Sequence, residues 1–204
     1  MVLHSARLRI RQWQLQDDEL ADEWPPYNDP FEPLWNLPRQ VGVGGDSWGV
    51  FFDGGGMRRT WAVEDWAGHL IGRISLRDIN ERAARARLGI TFGAPYIGQG
   101  LGTEGLALFL DYYFTDLGFE SMVLDVAAPN QRAVRSYERL GFRHVGGDWR
   151  EAGYRFDARL LDSPRYGHLR RFFRSGQRGL YVEFFEMELL KEEWFARSQR
   201  DRAR

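Results

Sequence analysis

The period of apolar positions changes several times along the chain, and each change marks an element. Residues 6–13 alternate Leu8, Ile10 and Gln12 against Arg7, Arg9, Arg11 and Trp13, the two-residue repeat of a half-buried strand. The acidic stretch 17–23 ends at Trp24 and predicts a helix stopped by Pro25 and Pro26. Apolar runs over 60–65 and 69–76 flank Trp66-Ala67-Gly68 as a hairpin, and 85–92 adds the next strand of a meander. Between 27 and 59 the pattern is lost among prolines and glycines, with Phe31, Trp35, Trp48, Phe51 and Phe52 interspersed. So long an irregular stretch predicts a lid-like functional insertion, with a small satellite core as the plainer role for its aromatics.

The chain is organised around residues 88–142, which predict strand, glycine-rich turn, helix, strand and helix. After the strand over 88–92, Thr103 is placed as an N-cap, and Leu106, Phe109, Leu110, Tyr113, Phe114 and Leu117 follow at helical spacing until Gly118. A short strand over 122–126 is interrupted by Asp125. Asn130 then caps a helix carrying Ala133, Val134, Tyr137 and Leu140, and Gly141-Phe142 is set to end it with a Schellman contact. Residues 144–149 and 180–190 are further strands. The stretch 162–179, with Arg165, Arg170, Arg171, Arg174 and Arg178, predicts a solvated hairpin or loop, and 191–204 a charged, fraying tail.

Gly98, Gly100 and Gly102 lie just ahead of the predicted helix. Glycines there let the backbone approach a ligand, and the first-turn N–H groups stand at the positive end of the helix dipole, which makes an anion cradle, most often for phosphate. A dinucleotide fingerprint starting at Gly98 needs glycine at 103, where the chain has threonine. A P-loop counted from Gly93 reaches Gly98 but then has Gln99 and no lysine. Neither nucleotide motif fits.

The segment Gly98-Gln99-Gly100-Leu101-Gly102-Thr103-Glu104, followed by Asn130-x-x-Ala133-x-x-x-Tyr137-Glu138-x-x-Gly141-Phe142, resembles the pyrophosphate loop and C-terminal signature of the GNAT superfamily of acetyl-CoA-dependent N-acyltransferases. The two lie in the order and spacing of that family and cover about a quarter of the chain. Tyr96 to Glu104 is most similar to the ribosomal-protein N-acetyltransferase branch; Ile97 departs from the Arg or Gln usual there. The resemblance implies a single α/β domain, with a mixed, mostly antiparallel sheet flanked by helices. It implies acetyl-CoA as co-substrate, bound by the loop residues Gly98, Gln99, Gly100, Leu101, Gly102 and Thr103. Asn130 and Arg132 follow from the second helix, and Ile90, Thr91 and Phe92 from a splayed strand edge that takes the pantetheine arm and supplies an oxyanion N–H at Thr91 or Phe92. In the resembling family the 27–59 region forms the wall of the acceptor pocket.

Acyl transfer to an amine needs a base for the amine and an acid for the thiolate leaving group. Tyr137 matches the tyrosine that protonates the coenzyme's thiolate in the resembling family; as a helical tyrosine it also suits an ordinary core position. Asp125, a carboxylate inside Val123-Leu124-Asp125-Val126, is costly unless paired or facing a wet cleft, and a partly desolvated carboxylate suits a base. Its spacing to Asn130 and Tyr137 equals that of the glutamate base of some ribosomal-protein acetyltransferases; a solvent-side strand end is the equal alternative. His4, His69, His144 and His168 are isolated, so no metal site is expected.

At 204 residues and 43% hydrophobic, the chain suits one domain with an ample core. A net charge of -1 gives no argument for nucleic acid or an anionic membrane, and only one of the 28 basic residues, Lys191, is a lysine. With no cysteine, a thiol carrier of the acyl group is excluded, so transfer is expected to be direct. The expected partner is a primary amine, either a protein N-terminus or a small molecule. Acidic Asp17, Asp18, Glu19, Asp22 and Glu23 would suit a cationic one, or merely form a solvated helix face. A catalytically silent acyl-CoA sensor is the alternative from another class. No apolar h-region or membrane-length run is present, so a cytoplasmic location is expected, and a homodimer is compatible with the sequence.

Overall fold

The computed structural model describes residues 1–39 and 58–202, with side chains through residue 197. In chain order it forms β1 (Val2–His4), β2 (Leu8–Gln12), α1 (Gln16–Asp22), β3 (Arg59–Asp65), β4 (Leu70–Asn80), β5 (Arg85–Phe92), α2 (Leu101–Thr115) and β6 (Ser121–Ala127). There follow α3 (Gln131–Leu140), β7 (Arg143–Glu151), β8 (Phe173–Gly176), β9 (Gly179–Leu190) and α4 (Lys191–Arg202). The strands build one sheet ordered β1-β2-β3-β4-β5-β6-β9-β7, with β8 beside β9. Among the described strands β5 and β6 alone pair in parallel. The expected mixed, mostly antiparallel α/β architecture is therefore the one observed.

The β5–β6 junction decides the shape of the molecule. The two strands pair only at Arg85 with Ser121, Ala86 with Met122 and Arg87 with Val123. Beyond that point β5 stays with β4 while β6 stays with β9, and a wedge opens between residues 88–92 and 124–127. Tyr113 ties the closed end: its buried hydroxyl accepts from the Ala86 amide at 3.0 Å and donates to the Ser121 carbonyl at 2.7 Å. The helix that delivers Tyr113 is held by burial. Leu106, Phe109, Leu110 and Phe114 of α2 are all at most 1% exposed, and Phe109 packs edge-on against Trp61 of β3 at 4.8 Å.

A second core lies beyond the open end of the wedge, where Phe31 and Leu34 pack with Ala127, Phe156, Leu161, Leu169, Phe172 and Phe184. The satellite role expected for the aromatics of 27–59 thus holds for Phe31. Residues 40–57, with Trp48, Phe51 and Phe52, lie outside the described residues. This core also corrects the reading of 162–179 as merely solvated. Its hairpin is present, β8 against β9, but Leu169 and Phe172 point inward while Arg170 and Arg171 remain exposed. Arginine-rich composition hid two apolar anchors.

The tail is corrected too. Residues 191–202 are helical as α4, and its first turn is docked: Trp194 is 6% exposed, and its indole donates to Asp111 at 2.8 Å. β1 was missed because three residues carry too little periodicity to register. No helix of the described residues is long and apolar enough to cross a membrane.

Candidate active site

Helix α2 begins at Leu101, two residues before the expected cap at Thr103. Gly100, in the left-handed region at φ 79°, holds the cap position, and its carbonyl accepts the Glu104 amide at 3.0 Å. Gly98 is left-handed as well, at φ 81°. A side chain would strain the backbone at both places. The amides of residues 98–103 donate no hydrogen bond within the described residues, and no atom lies within 4 Å of where a Cβ on Gly98 would stand. This run of open donors at a helix N-terminus fits a pyrophosphate.

Gly102 has a different reason. The Phe92 ring lies 3.5 Å from the position of its missing Cβ, and equally close to that of Gly105, so both glycines let α2 close onto the end of β5. The rest of the loop is braced from outside. Gln99 donates its carboxamide to the Pro95 carbonyl at 2.7 Å, and its own carbonyl accepts from Arg7 at 3.1 Å. Glu104 accepts from the Ser5 hydroxyl at 2.7 Å and the Arg7 Nε at 2.7 Å. Burial pushes the Glu104 carboxyl up, but the hydrogen bonds from Ser5 and Arg7 outweigh it and hold the group below its usual range. Arg7 was read only as a strand residue.

One cavity of about 1820 Å³ runs from this loop into the wedge, lined by Gly98, Gly100, Gly102 and Thr103, by Ile90, Thr91 and Phe92, and by Asn130, Arg132 and Tyr137. Backbone direction along β5 follows from the ladder. The Gly93 amide donates to the Ile71 carbonyl at 3.0 Å, so every second residue back, including Thr91, turns its amide toward β4. Ile90 and Phe92 therefore turn theirs toward the wedge. The Tyr27 hydroxyl, which donates to the Phe92 carbonyl, confirms that direction. Of the two positions expected to offer an oxyanion N–H, Phe92 presents an amide to the cavity and Thr91 does not.

α3 is built as its residues dictate. Asn130 caps it by accepting the Ala133 amide at 3.2 Å, and Gly141 at φ 99° ends it, with the Phe142 amide returning 3.0 Å to the Tyr137 carbonyl. Tyr137 is half-buried against Phe142, and its hydroxyl makes no hydrogen bond within the described residues. Burial pushes that hydroxyl up from 10.0 to about 12, so it is held protonated. Arg132 lies over the Trp35 ring at 5.3 Å.

Asp125 lines the cavity with its side chain only 6% exposed, and its surroundings differ from those expected of a base. Oδ1 lies 2.8 Å from Arg87 and 3.4 Å from Arg39; Oδ2 lies 3.3 Å from Arg150 and 3.8 Å from Arg77. Asp78 (3.1 Å) and Glu186 (2.9 Å) also bind Arg87, and Asp148 (3.1 Å) binds Arg150. Both oxygens are engaged by guanidinium groups, which makes Asp125 the hub of an ion-pair network at the vertex of the wedge. A carboxylate inside an apolar strand signals that such partners must exist, but they arrive from β4, β5, β7 and the segment before residue 40. The acidic stretch 17–23 does not line the cavity; Asp17 is buried against Arg11 instead. Among the described residues no group of His, Cys, Asp and Glu is placed to hold a metal ion.

Residues 7–143 match the family model described as an acetyltransferase (GNAT) domain. The spermidine N(1)-acetyltransferase of Escherichia coli K12 is 36% identical over 84 residues, covering 41% of this chain and 45% of the relative. That of Vibrio cholerae is 35% identical over 88 residues, covering 43% and 51%. The alignments thus span about half the length of these relatives. They do not single out the ribosomal-protein branch. A crystal structure of the Vibrio cholerae spermidine N-acetyltransferase with CoA and spermine superposes with a TM-score of 0.64 at 20% identity, over 94% of this chain and 99% of the other, which shows a shared fold. With its fold and its matched residues in agreement, the chain belongs to the GNAT acetyltransferase family.

Proposed function

We propose that the chain is an acetyl-CoA-dependent N-acetyltransferase that passes the acetyl group directly to a primary amine. One observation carries the reading: among the described residues the amides of 98–103 have no acceptor, and Gly98, Gly100, Gly102 and Thr103 of that run line the same cavity as a tyrosine whose hydroxyl is protonated and unengaged. The loop fits a pyrophosphate, and the β5 edge at Ile90 and Phe92 fits an extended amide-bearing arm as an added strand would. Acetyl-CoA, when bound, supplies an activated thioester.

The chain's own groups then have defined tasks. The Phe92 amide is aimed into the wedge, where it stabilises negative charge growing on the carbonyl oxygen. As the amine nitrogen bonds to the carbonyl carbon and the carbon–sulfur bond breaks, Tyr137 gives its proton to the sulfur. The proton lost by the amine returns to the phenolate through water. Asp125 acts here by positioning: it fixes the arginines at the wedge vertex, and deprotonation of the amine falls to solvent.

The spermidine names of the relatives support a small-molecule amine as acceptor. The likeness of residues 96–104 to the ribosomal-protein branch supports a protein N-terminus, on fewer residues. The test is release of free thiol from acetyl-CoA across a panel of amines and peptides, for wild type and Tyr137→Phe. The reading requires thiol release with at least one amine and its loss in the variant with CoA affinity intact. CoA binding without release for any acceptor identifies a silent sensor instead.

A further inference from the structure

The segment that follows α1 crosses the open mouth of the wedge and is docked on both sides of it. On the β5 side the Trp24 indole donates to the Leu70 carbonyl at 3.0 Å, and its ring lies 3.1 Å from where a Cβ on Gly93 would stand, so the ring rests on bare backbone. Pro25 and Pro26 stiffen the chain as it leaves. On the β6 side Phe31 and Leu34 pack with Ala127 and Ala128, and Arg39 reaches Asp125. Tyr27 and Trp35 stand between these anchors and line the cavity.

Tyr27 does more than pack. Beyond Arg87 the wedge edge of β5 no longer pairs with β6, and on that edge Phe92 presents both its amide and its carbonyl. The Tyr27 hydroxyl donates to the carbonyl and leaves the amide facing the cavity. Phe92 is thereby a net donor: the oxygen that would set negative charge beside a growing oxyanion is taken up, and the N–H stays open. The peptide after Phe92 is pinned from its other side as well, because the Gly93 amide donates to the Ile71 carbonyl at 3.0 Å. Burial holds the phenol above its usual range, with Glu32 adding to the effect and Arg132 and Arg73 opposing it, so the hydroxyl stays a donor.

The ring has a second partner. It meets Trp35 edge-on at 5.1 Å, and Arg132 of α3 lies over Trp35 at 5.3 Å. Tyr137 is carried by the same helix. Phe92, Tyr27, Trp35 and Arg132 thus form one chain of contacts from the strand that offers the amide to the helix that offers the acid. The two must act on one thioester, the amide at its oxygen and the hydroxyl at its sulfur. A misplacement of about 1 Å can cost about 10²-fold in rate, so what holds the two sides in place matters to the chemistry.

We propose that Tyr27 is a positioning residue for acetyl transfer: its hydroxyl keeps the Phe92 amide aimed at the thioester oxygen, and its ring, through Trp35 and Arg132, ties that amide to the helix carrying Tyr137. This rests on the acetyl-transfer reading of the cavity and deepens it. The bonds made and broken are unchanged, and Tyr27 keeps its own proton throughout.

The test pairs thiol-release kinetics with a spectrum. Tyr27→Phe keeps the ring against Trp35 and removes only the donor. The expected result is a kcat at least tenfold lower, with the KM for acetyl-CoA and for the amine within about twofold of wild type. Infrared difference spectra of bound acetyl-CoA, labelled with carbon-13 at the carbonyl and recorded without acceptor, read the hold on that carbonyl directly. In wild type the labelled band lies below its position in water, and in the variant it returns toward that position. A merely structural role moves the unfolding midpoint and leaves the band in place. Should Tyr27→Phe fail to fold, Trp35→Leu decides: it leaves the hydroxyl, removes the ring behind it, and lowers kcat at least threefold with the KM for acetyl-CoA unchanged. An unchanged kcat, an unshifted band, or a rise in the KM for acetyl-CoA with kcat intact overturns this inference and leaves the acetyltransferase reading standing. Wild-type protein that fails to bind CoA, or binds it and releases thiol with no amine, removes the parent reading instead.

Discussion

The two ends of the cavity are made in opposite ways. The coenzyme end is main chain: open amides over 98–103, two left-handed glycines, and a capped helix on either side. The acceptor end is side chain: four arginines and four carboxylates brought to one vertex from separate strands and the segment before residue 40. A backbone site is specified by a few consecutive residues and tolerates many side chains. A charge network is specified only by the assembled fold, and losing one member leaves the others buried without compensation. Changes at the acceptor end should therefore reach stability and substrate choice together, while changes at the coenzyme end should be local.

The sharpest contrast comes from Asp125→Asn. It keeps the shape but leaves Arg39, Arg77, Arg87 and Arg150 facing a neutral group, and denaturant unfolding should show a loss of about 3–5 kcal/mol. A loss within about 0.5 kcal/mol, the range of ordinary surface substitutions, contradicts the hub role. Tyr137→Phe is the counterpart at the chemistry. Stability should hold, and kcat should fall by about 10²–10⁴ with CoA affinity unchanged.

Smaller effects sharpen the picture. Gly100→Val places a β-branched residue at φ 79°, and calorimetry should show CoA affinity at least tenfold weaker, a cost of about 1.4 kcal/mol. Tyr113→Phe leaves the Ala86 amide and Ser121 carbonyl buried without their bridge, at about 1–3 kcal/mol by unfolding, although it lies outside the cavity.

The pH dependence is the mildest effect. Because burial raises the Tyr137 hydroxyl from 10.0 to about 12, the acid stays protonated, and kcat should not fall on its account between about pH 7 and 10. The sign for stability is the reverse of a carboxylate's. The folded state holds the proton more tightly than the unfolded one, so this contribution is full below 10.0 and is lost as pH rises toward about 12.

The same contrast explains what the sequence disclosed. The residue 88–142 pattern, the Asn130 cap, the Gly141 termination and the glycine loop are local, and each rests on the conformation of consecutive residues. The start of α2 was misplaced by three residues, cap Thr103 against the observed Gly100, because a left-handed glycine and a threonine both make acceptable caps. Asp125 stood out as an anomaly in an apolar strand, yet nothing near it in the chain named Arg39, Arg77 or Arg150 as its partners. The docking of α4 through Trp194 was equally hidden, since it depends on Asp111, far away in sequence.

The central claim, that the open amides over 98–103 hold a pyrophosphate, is tested most directly by calorimetric titration of the wild-type protein with CoA and, separately, with pantetheine, which lacks that group. The account predicts that CoA binds and that pantetheine binds at least a hundredfold more weakly. Equal affinities, or no heat with CoA at millimolar concentration, would contradict it.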